Sequence, residues 1–163
     1  MLDVDRLKSL NDSHGHLAGA EAVRTVGRII GERLPTGAVA CRYGGDEFVT
    51  AIPRCAPALA QKVADSLRRA IQVSAPVLAG RPFAEGTLSI SVGGTCVSFE
   101  RGESSRALSL PDVEVGESLF RAADAALYRA KARGRNQVCV PRDAVDDADS
   151  RRLQYGGTPT SAL

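Results

Sequence analysis

Two glycines and two acids form a compact motif early in the chain, Gly44-Gly45-Asp46-Glu47. Apolar residues alternate on both sides of this motif, which predicts a β-hairpin with strands over roughly 38–43 and 47–52 and a two-residue Gly-Gly turn. Glycine fills the positive-φ positions of such a turn easily, and without a Cβ it lets a ligand approach the backbone. On its own, the motif also fits an ordinary hairpin with a solvated acidic tip.

A second pair of carboxylates opens the chain. Asp3 and Asp5 are two residues apart at the end of a short apolar run, so a strand would place them on one face. Lys8, Asn11 and Asp12 follow. A strand end with two acids, set beside a hairpin tip with two acids, suits Mg²⁺, which takes carboxylate oxygens and keeps waters and substrate phosphates as further ligands. Lys8 would then neutralise phosphate.

Three separated motifs resemble the GGDEF family of diguanylate cyclases and occur in the order that the family has them. They are Asp3-Val4-Asp5-Arg6-Leu7-Lys8 with Asn11-Asp12, Gly15-His16 and Gly19; Gly44-Gly45-Asp46-Glu47-Phe48; and Ala126-Leu127-Tyr128-Arg129-Ala130-Lys131 with Gly134-Arg135-Asn136. The resemblance covers roughly residues 1–140. It implies a GGDEF-type α/β sandwich, with a mixed, mostly antiparallel central sheet flanked by helices, similar to the adenylyl cyclase and polymerase palm core.

The resemblance also implies a role for each candidate site residue. Asp3, Asp46 and the Val4 carbonyl would hold Mg²⁺ or Mn²⁺. Asp46 and Glu47 would be the catalytic acids, with Glu47 either a metal ligand or the base for the attacking hydroxyl. The residues implied in substrate binding are Lys8, Asn11, Gly44, Gly45, Lys131 and Arg135. The three cations would bind phosphate, the two glycines would adjoin the α-phosphate and ribose, and the asparagine would contact guanine.

The implied activity is the condensation of two GTP molecules into cyclic di-GMP, with release of pyrophosphate, by a homodimer whose bound substrates face each other. A catalytically weak or inactive module that binds GTP or cyclic di-GMP as a regulatory domain is the alternative. Ala20 bears on this choice, because the family normally has an Asp there that reads guanine, which Glu21 or a water would have to replace. Residues 35–38 also lack both charges of the family's inhibitory Arg-x-x-Asp product site.

Composition agrees with one soluble globular domain. The 163 residues are 44% hydrophobic and 25% charged, with a formal net charge of +2, so no global charge predicts a nucleic-acid partner. No run approaches the roughly 18 apolar residues that a membrane-spanning helix needs, and no signal peptide precedes the first motif, so the expected location is the cytoplasm. The four cysteines lack a metal-binding spacing and are expected to be buried free thiols.

The remaining pattern places these motifs on helices and strands. Apolar residues at helical spacing predict helices from Gly19 to near Pro35, from about Leu59 to Val73, and over Glu117–Arg133, with Gly134 as the C′ residue. Strict alternation predicts a half-buried strand over residues 87–92. The Gly93-Gly94 pair that follows predicts a bulge or close packing, and residues 137–140 predict a closing strand.

The expected domain covers residues 1–140 and is truncated at its N-terminus relative to the family. An upstream sensory or receiver domain is expected to be missing from this chain. Residues 99–111 are rich in Ser, Arg, Glu and Gly and predict an exposed loop. Residues 141–163 are polar without periodicity, which predicts a disordered tail.

Overall fold

A five-stranded sheet with helices on both faces forms the frame of the protein in a computed structural model, which describes residues 1–97 and 112–141. The elements in chain order are β1 (Leu2–Val4), α1 (Leu7–Arg33), β2 (Val39–Arg42), β3 (Glu47–Ala51), α2 (Pro57–Gln72), β4 (Val77–Leu78), β5 (Arg81–Pro82), β6 (Ile90–Gly93), α3 (Asp112–Ala132) and β7 (Val138–Cys139). The main sheet has the order β2-β3-β1-β6-β7, and β4 and β5 form a separate pair. All pairs are antiparallel except β6 with β7, which confirms the predicted mixed sheet.

β1 is the central strand, and its residues alternate between the two faces of the sheet. Leu2 and Val4 are each 1% exposed and pack with α1 and α2 in the main core. Met1 instead packs with Leu127 of α3 on the opposite face. Asp3 has the same parity as Met1 and therefore lies toward α3. The core around β1 thus fixes where the first acid of the chain points.

α1 is longer than its apolar pattern predicted. It begins at Leu7 instead of Gly19, and it is broken at Gly15, where φ is 83° and ψ is 161°. Glycine reaches this conformation because it has no Cβ. The segment before the break is mostly polar, although Leu7 and Leu10 pack against the core. Two apolar contacts in a short segment give too weak a period to predict a helix from sequence.

The hairpin has a wider turn than the predicted Gly-Gly one. The Tyr43 N–H donates to the Glu47 carbonyl at 2.8 Å, so the turn is longer than two residues. The left-handed glycines that the structure describes do not include Gly44 or Gly45, so the predicted positive φ is wrong for both. The Arg42 guanidinium stabilises the turn instead, since its Nε donates to the Gly44 carbonyl at 3.2 Å and its Nη2 to the Gly45 carbonyl at 2.7 Å.

Gly93 lies where α3 comes closest to the sheet. A Cβ at this position would lie 2.5 Å from the Leu127 Cα and would overlap the Leu127 backbone nitrogen and the Ala123 carbonyl oxygen. All of these are backbone atoms of α3. The close packing predicted for Gly93 is therefore confirmed, and the glycine allows α3 to rest directly on β6.

The C-terminus of α3 is closed by a Schellman motif. Gly134 has a φ of 112°, and its N–H donates to the Lys131 carbonyl at 3.3 Å, while the Arg135 N–H donates to the Ala130 carbonyl at 3.2 Å. Gly134 is thus the C′ residue, as predicted. The motif fixes the direction in which the chain leaves the helix and reaches β7.

Several smaller predictions differ from the structure. β6 begins at Ile90 and not at Thr87, because the Thr87 hydroxyl donates to the Ala84 carbonyl at 2.7 Å and closes a turn. The cysteines are free, but Cys41 is exposed on the edge strand β2 and the others are half-buried, so burial was wrongly predicted. The predicted loop at 99–111 and tail at 142–163 lie outside the described residues. Among the described helices, none is long and apolar enough to cross a membrane.

Candidate active site

The end of β1 and the hairpin place the two acidic motifs side by side. Asp3 is paired with Glu47 in the register of β1 with β3, and the Val4 N–H donates to the Asp46 carbonyl at 3.0 Å. The Asp3 side chain is 8% exposed, and Asp46 and Glu47 are half-buried. The two acidic motifs, far apart in sequence, therefore adjoin in the fold. Like charges directly opposite each other on a sheet are destabilising unless something neutralises them.

Lys131, near the end of α3, supplies one neutralising charge. Its Nζ lies 2.7 Å from the Asp3 Oδ2. The pKa of Asp3 is nevertheless raised, first because burial disfavours the charged carboxylate, and also because Asp46 and Asp5 are negatively charged neighbours; Lys131 opposes the shift. Burial and the neighbouring acids thus disfavour the charged form of Asp3, and a bound cation would favour it.

The donor set fits a divalent cation of the magnesium type. The Asp3 and Asp46 carboxylates and the Val4 carbonyl offer hard oxygen donors at one strand end and the neighbouring hairpin tip. Within residues 1–97 and 112–141, no three or more His, Cys, Asp or Glu side chains converge to hold a metal. Two carboxylates and one carbonyl would supply part of a coordination shell, and Mg²⁺ usually takes its remaining ligands from waters and substrate phosphates.

A cleft suited to phosphate adjoins these acids. Arg6 precedes α1 with a φ of 56°, and no side chain in the described part of the chain caps the helix, so the N–H groups of its first turn face no capping group there. A cavity of about 380 Å³ opens beside this helix start, and residues 86–89 and 134–136 form its other wall. Arg135 lies on that wall, and Lys8 is exposed on the first turn of α1. Free N–H groups and nearby cations together favour an anion.

Asn11 and Gly19 meet across the break in α1. A Cβ on Gly19 would lie 2.7 Å from the Asn11 Cγ and would overlap its Oδ1, so glycine leaves the space that this amide occupies. The Asn11 Oδ1 is buried and accepts no hydrogen bond from the residues that the structure describes. An unpaired buried acceptor costs about 1–3 kcal/mol, which a donor on a bound ligand would offset. Among the residues described, the Asn11 amide oxygen is thus an unpaired acceptor that packs against Gly19.

Ala20 and Glu21 lie close to Asn11 in sequence, but neither supplies a carboxylate for a guanine base. Ala20 is exposed and apolar. Glu21 accepts a hydrogen bond from the Ala79 N–H in the turn between β4 and β5 through its Oε2. Because this carboxylate holds a turn of the fold, we expect it not to replace the missing Asp.

Two residues near the site, Arg42 and Asp5, were not predicted from the sequence to have these contacts. Arg42, which holds the glycine turn, carried no signal beyond its position beside the motif. Asp5 was grouped with Asp3, yet its carboxylate accepts three hydrogen bonds, from the Ser89 and Ser91 hydroxyls at 2.7 Å and from the Asn136 N–H at 3.0 Å. The sequence feature that could have indicated this role is the pair Ser89 and Ser91, which lie on one face of the predicted strand.

Comparisons with known proteins show which family this chain is similar to. A family model described as diguanylate cyclase, GGDEF domain, matches residues 1–137. Diguanylate cyclase VdcA of Vibrio cholerae is 37% identical over 138 residues, which are 85% of this chain and 37% of that protein. Response regulator PleD of Caulobacter vibrioides is 34% identical over 139 residues, which are 85% of this chain and 28% of that protein.

A solved structure is similar as well. The GGDEF domain of DgcB from Caulobacter crescentus, in complex with c-di-GMP, is 31% identical with a TM-score of 0.68, over 85% of this chain and 74% of that one. The chain spans about a third of the length of the curated relatives described above. Because the family model covers most of the sequence, and the sheet and helices match a solved member, this chain belongs to the GGDEF domain family.

Proposed function

We propose that this chain is the catalytic domain of a diguanylate cyclase, which condenses two GTP molecules into cyclic di-GMP and releases pyrophosphate. The observation that supports the proposal best is the end of β1, where Asp3 contacts Lys131 and the backbone of Val4 is bonded to that of Asp46 in the acidic hairpin. Its similarity to proteins named as diguanylate cyclases supports the same activity.

In this proposal the chain's residues bind and orient GTP. Asp3, Asp46 and the Val4 carbonyl hold Mg²⁺ or Mn²⁺, an ion that would stabilise the charge developing on the reacting phosphates. Lys131, which contacts Asp3 in this structure, would bind a substrate phosphate. Glu47 either adds a metal ligand or takes the proton of the attacking 3′-hydroxyl. The remaining substrate contacts are Lys8, Asn11, Gly44, Gly45 and Arg135.

A pyrophosphate-release assay tests the proposed activity. With GTP and Mg²⁺, the chain should release one pyrophosphate for each GTP consumed, and chelation of the metal should stop the release. Pyrophosphate that still forms in excess chelator would contradict the metal site. GTP binding without any release would instead favour the second candidate, a weak or silent nucleotide-binding module, for which Ala20 is the specific observation.

Ala20→Asp should tighten GTP binding. A carboxylate at this position would accept from the guanine N1 and N2 donors, and a hydrogen bond to a charged group contributes about 1.5–3 kcal/mol, which is roughly a ten- to hundred-fold gain in affinity. Titration calorimetry with GTP and with ATP measures both affinity and base preference. Ala20→Asn, which adds similar bulk without the charge, is the matched control. Equal GTP affinity in wild type and Ala20→Asp would mean that another group already reads the base.

Product should not inhibit through the usual family site. Pro35 and Ala38 stand where the inhibitory motif has Arg and Asp, and proline cannot pair with phosphate or stack as a guanidinium does. Initial rates should therefore change little when cyclic di-GMP is added at increasing concentration. Non-competitive inhibition at micromolar product would show that product acts here in spite of the lost charges.

Specific activity should rise with protein concentration, because each domain carries one GTP and the reaction needs two facing substrates. Fusion to a coiled-coil dimer should raise activity further through effective concentration, as an upstream dimerising domain would. Rates per milligram across a hundred-fold dilution series, with light scattering in parallel, test this expectation. Constant specific activity in a protein that remains monomeric would rule out the facing pair.

A further inference from the structure

We propose that Asp5 is a positioning residue that fixes the Gly134-Arg135-Asn136 turn, and through this turn places the Arg135 guanidinium for phosphate. The inference depends on the proposed function for the role of Arg135. The role of Asp5 itself is argued from the backbone and hydrogen bonds of the turn. Asp5 is thereby distinct from Asp3, two residues earlier, whose carboxylate contacts Lys131.

The turn has a backbone that its own sequence does not favour. Arg135 has a φ of 65° and Asn136 a φ of 48°, directly after Gly134 with a φ of 112°. The left-handed region is disfavoured for residues that carry a Cβ, and such conformations persist where the surrounding structure holds them. Asn adopts this region more readily than most residues, so the Arg135 conformation in particular requires external support.

Asp5 supplies that support to the backbone. Its Oδ2 accepts from the Asn136 N–H at 3.0 Å and from the Ser89 hydroxyl at 2.7 Å, while its Oδ1 accepts from the Ser91 hydroxyl at 2.7 Å. Asp5 is 9% exposed, so these bonds are shielded from water. Hydrogen bonds to an ionised acceptor are stronger than neutral ones. One carboxylate thus ties the turn to both β1 and β6.

A hydrogen bond from α2 also holds the same turn. The Asn136 Oδ1 accepts from the Arg68 Nη1 at 3.1 Å, and Arg68 is itself held by Gln72 at 2.7 Å and by Asp65 at 3.1 Å. Only 16% of the Arg68 side chain is exposed. Backbone and side chain of Asn136 are therefore both anchored, which leaves the exposed Arg135 on the cavity wall opposite the start of α1.

Binding of inorganic tripolyphosphate with Mg²⁺, measured by calorimetry, tests the inference without catalysis. Asp5→Asn should weaken this binding about tenfold, as loss of an outer-shell partner commonly does. In an Arg135→Ala background the same change should have no further effect, because Asp5 acts through Arg135. Ser91→Ala removes a donor on the other oxygen of Asp5 and should change affinity less than twofold.

Unchanged affinity in Asp5→Asn, or a full additional loss in the Arg135→Ala background, would overturn the inference. So would a wild type that fails to bind tripolyphosphate. Should Asp5→Asn not fold, hydrogen exchange of backbone amides in the wild type provides the test. The Asn136 amide should exchange as slowly as the amides of the strands. Exchange as fast as in an exposed loop would overturn the inference that Asp5 holds this amide. Tripolyphosphate binding without cyclic di-GMP formation would instead refute the proposed function and leave Asp5 in its role.

Discussion

Asp46→Asn should abolish or nearly abolish turnover of GTP while the protein remains folded. The substitution keeps the size of the side chain and removes one of two carboxylates proposed to hold the metal. Loss of about 3–4 kcal/mol of charge stabilisation corresponds to a rate lower by roughly 10²- to 10³-fold. Initial rates of pyrophosphate release at saturating Mg²⁺ measure the effect.

The stability of this variant provides an internal control. The negative charge of Asp46 is among the causes that raise the pKa of Asp3, so its removal relieves repulsion at neutral pH and should leave the melting temperature equal or slightly higher. Glu117 is an exposed acid on α3, about 21 Å from Lys131 by helix rise. Glu117→Gln should therefore change neither the rate nor the stability. Full activity in Asp46→Asn would remove this residue from the site.

Gly93→Ala should cause the largest loss of stability among single methyl additions to this sheet. The new Cβ would overlap backbone atoms of Leu127 and Ala123, and backbone cannot move aside as a side chain tip does. α3 must shift as a unit, at a cost of about 3 kcal/mol or more in free energy of unfolding. Urea denaturation followed by circular dichroism measures the change. Because α3 carries Lys131, GTP turnover should fall as well.

Two glycines serve as controls for this clash. A Cβ on Gly94 would lie 2.8 Å from the Val140 Cγ2, which is the end of a side chain and can adjust, so Gly94→Ala should cost less than Gly93→Ala. A Cβ on Gly31 in α1 would meet no atom within 4 Å, so Gly31→Ala should stabilise the helix by about 0.5–1 kcal/mol. Equal stability of Gly93→Ala and wild type would mean that α3 packs less closely on β6.

The sequence predicted those elements whose apolar period is long enough to read. α2, the second part of α1 and α3 bury regular stripes, and the alternation around the hairpin marked β2 and β3. The helical segment from Leu7 to the Gly15 break was missed because few of its residues reach the core. Periodicity reports burial, so a short polar helix held by tertiary contacts carries little of this signal.

Some residues of the candidate site could likewise be predicted from the sequence, and others could not. Motif residues such as Asp3 and Asp46 could be named because their types and spacing are distinctive. The support around them could not. The Asp5 contact with Asn136 depends on how distant segments pack, and the Arg42 contact with the glycine carbonyls, although local, depends on the exact shape of the turn. The hydrogen bond from the Ala79 N–H to Glu21 is also a tertiary contact, and it bears on the question of Ala20 that the sequence left open.

Separation of nucleotides after incubation of concentrated protein with GTP and Mg²⁺ shows whether this domain makes cyclic di-GMP. We expect one new nucleotide with the mass of cyclic di-GMP, formed once for every two GTP consumed, and we expect none when Asp46→Asn replaces the wild type. Unchanged GTP at every protein concentration, or a product made from a single GTP, would contradict the claim that this domain is a diguanylate cyclase.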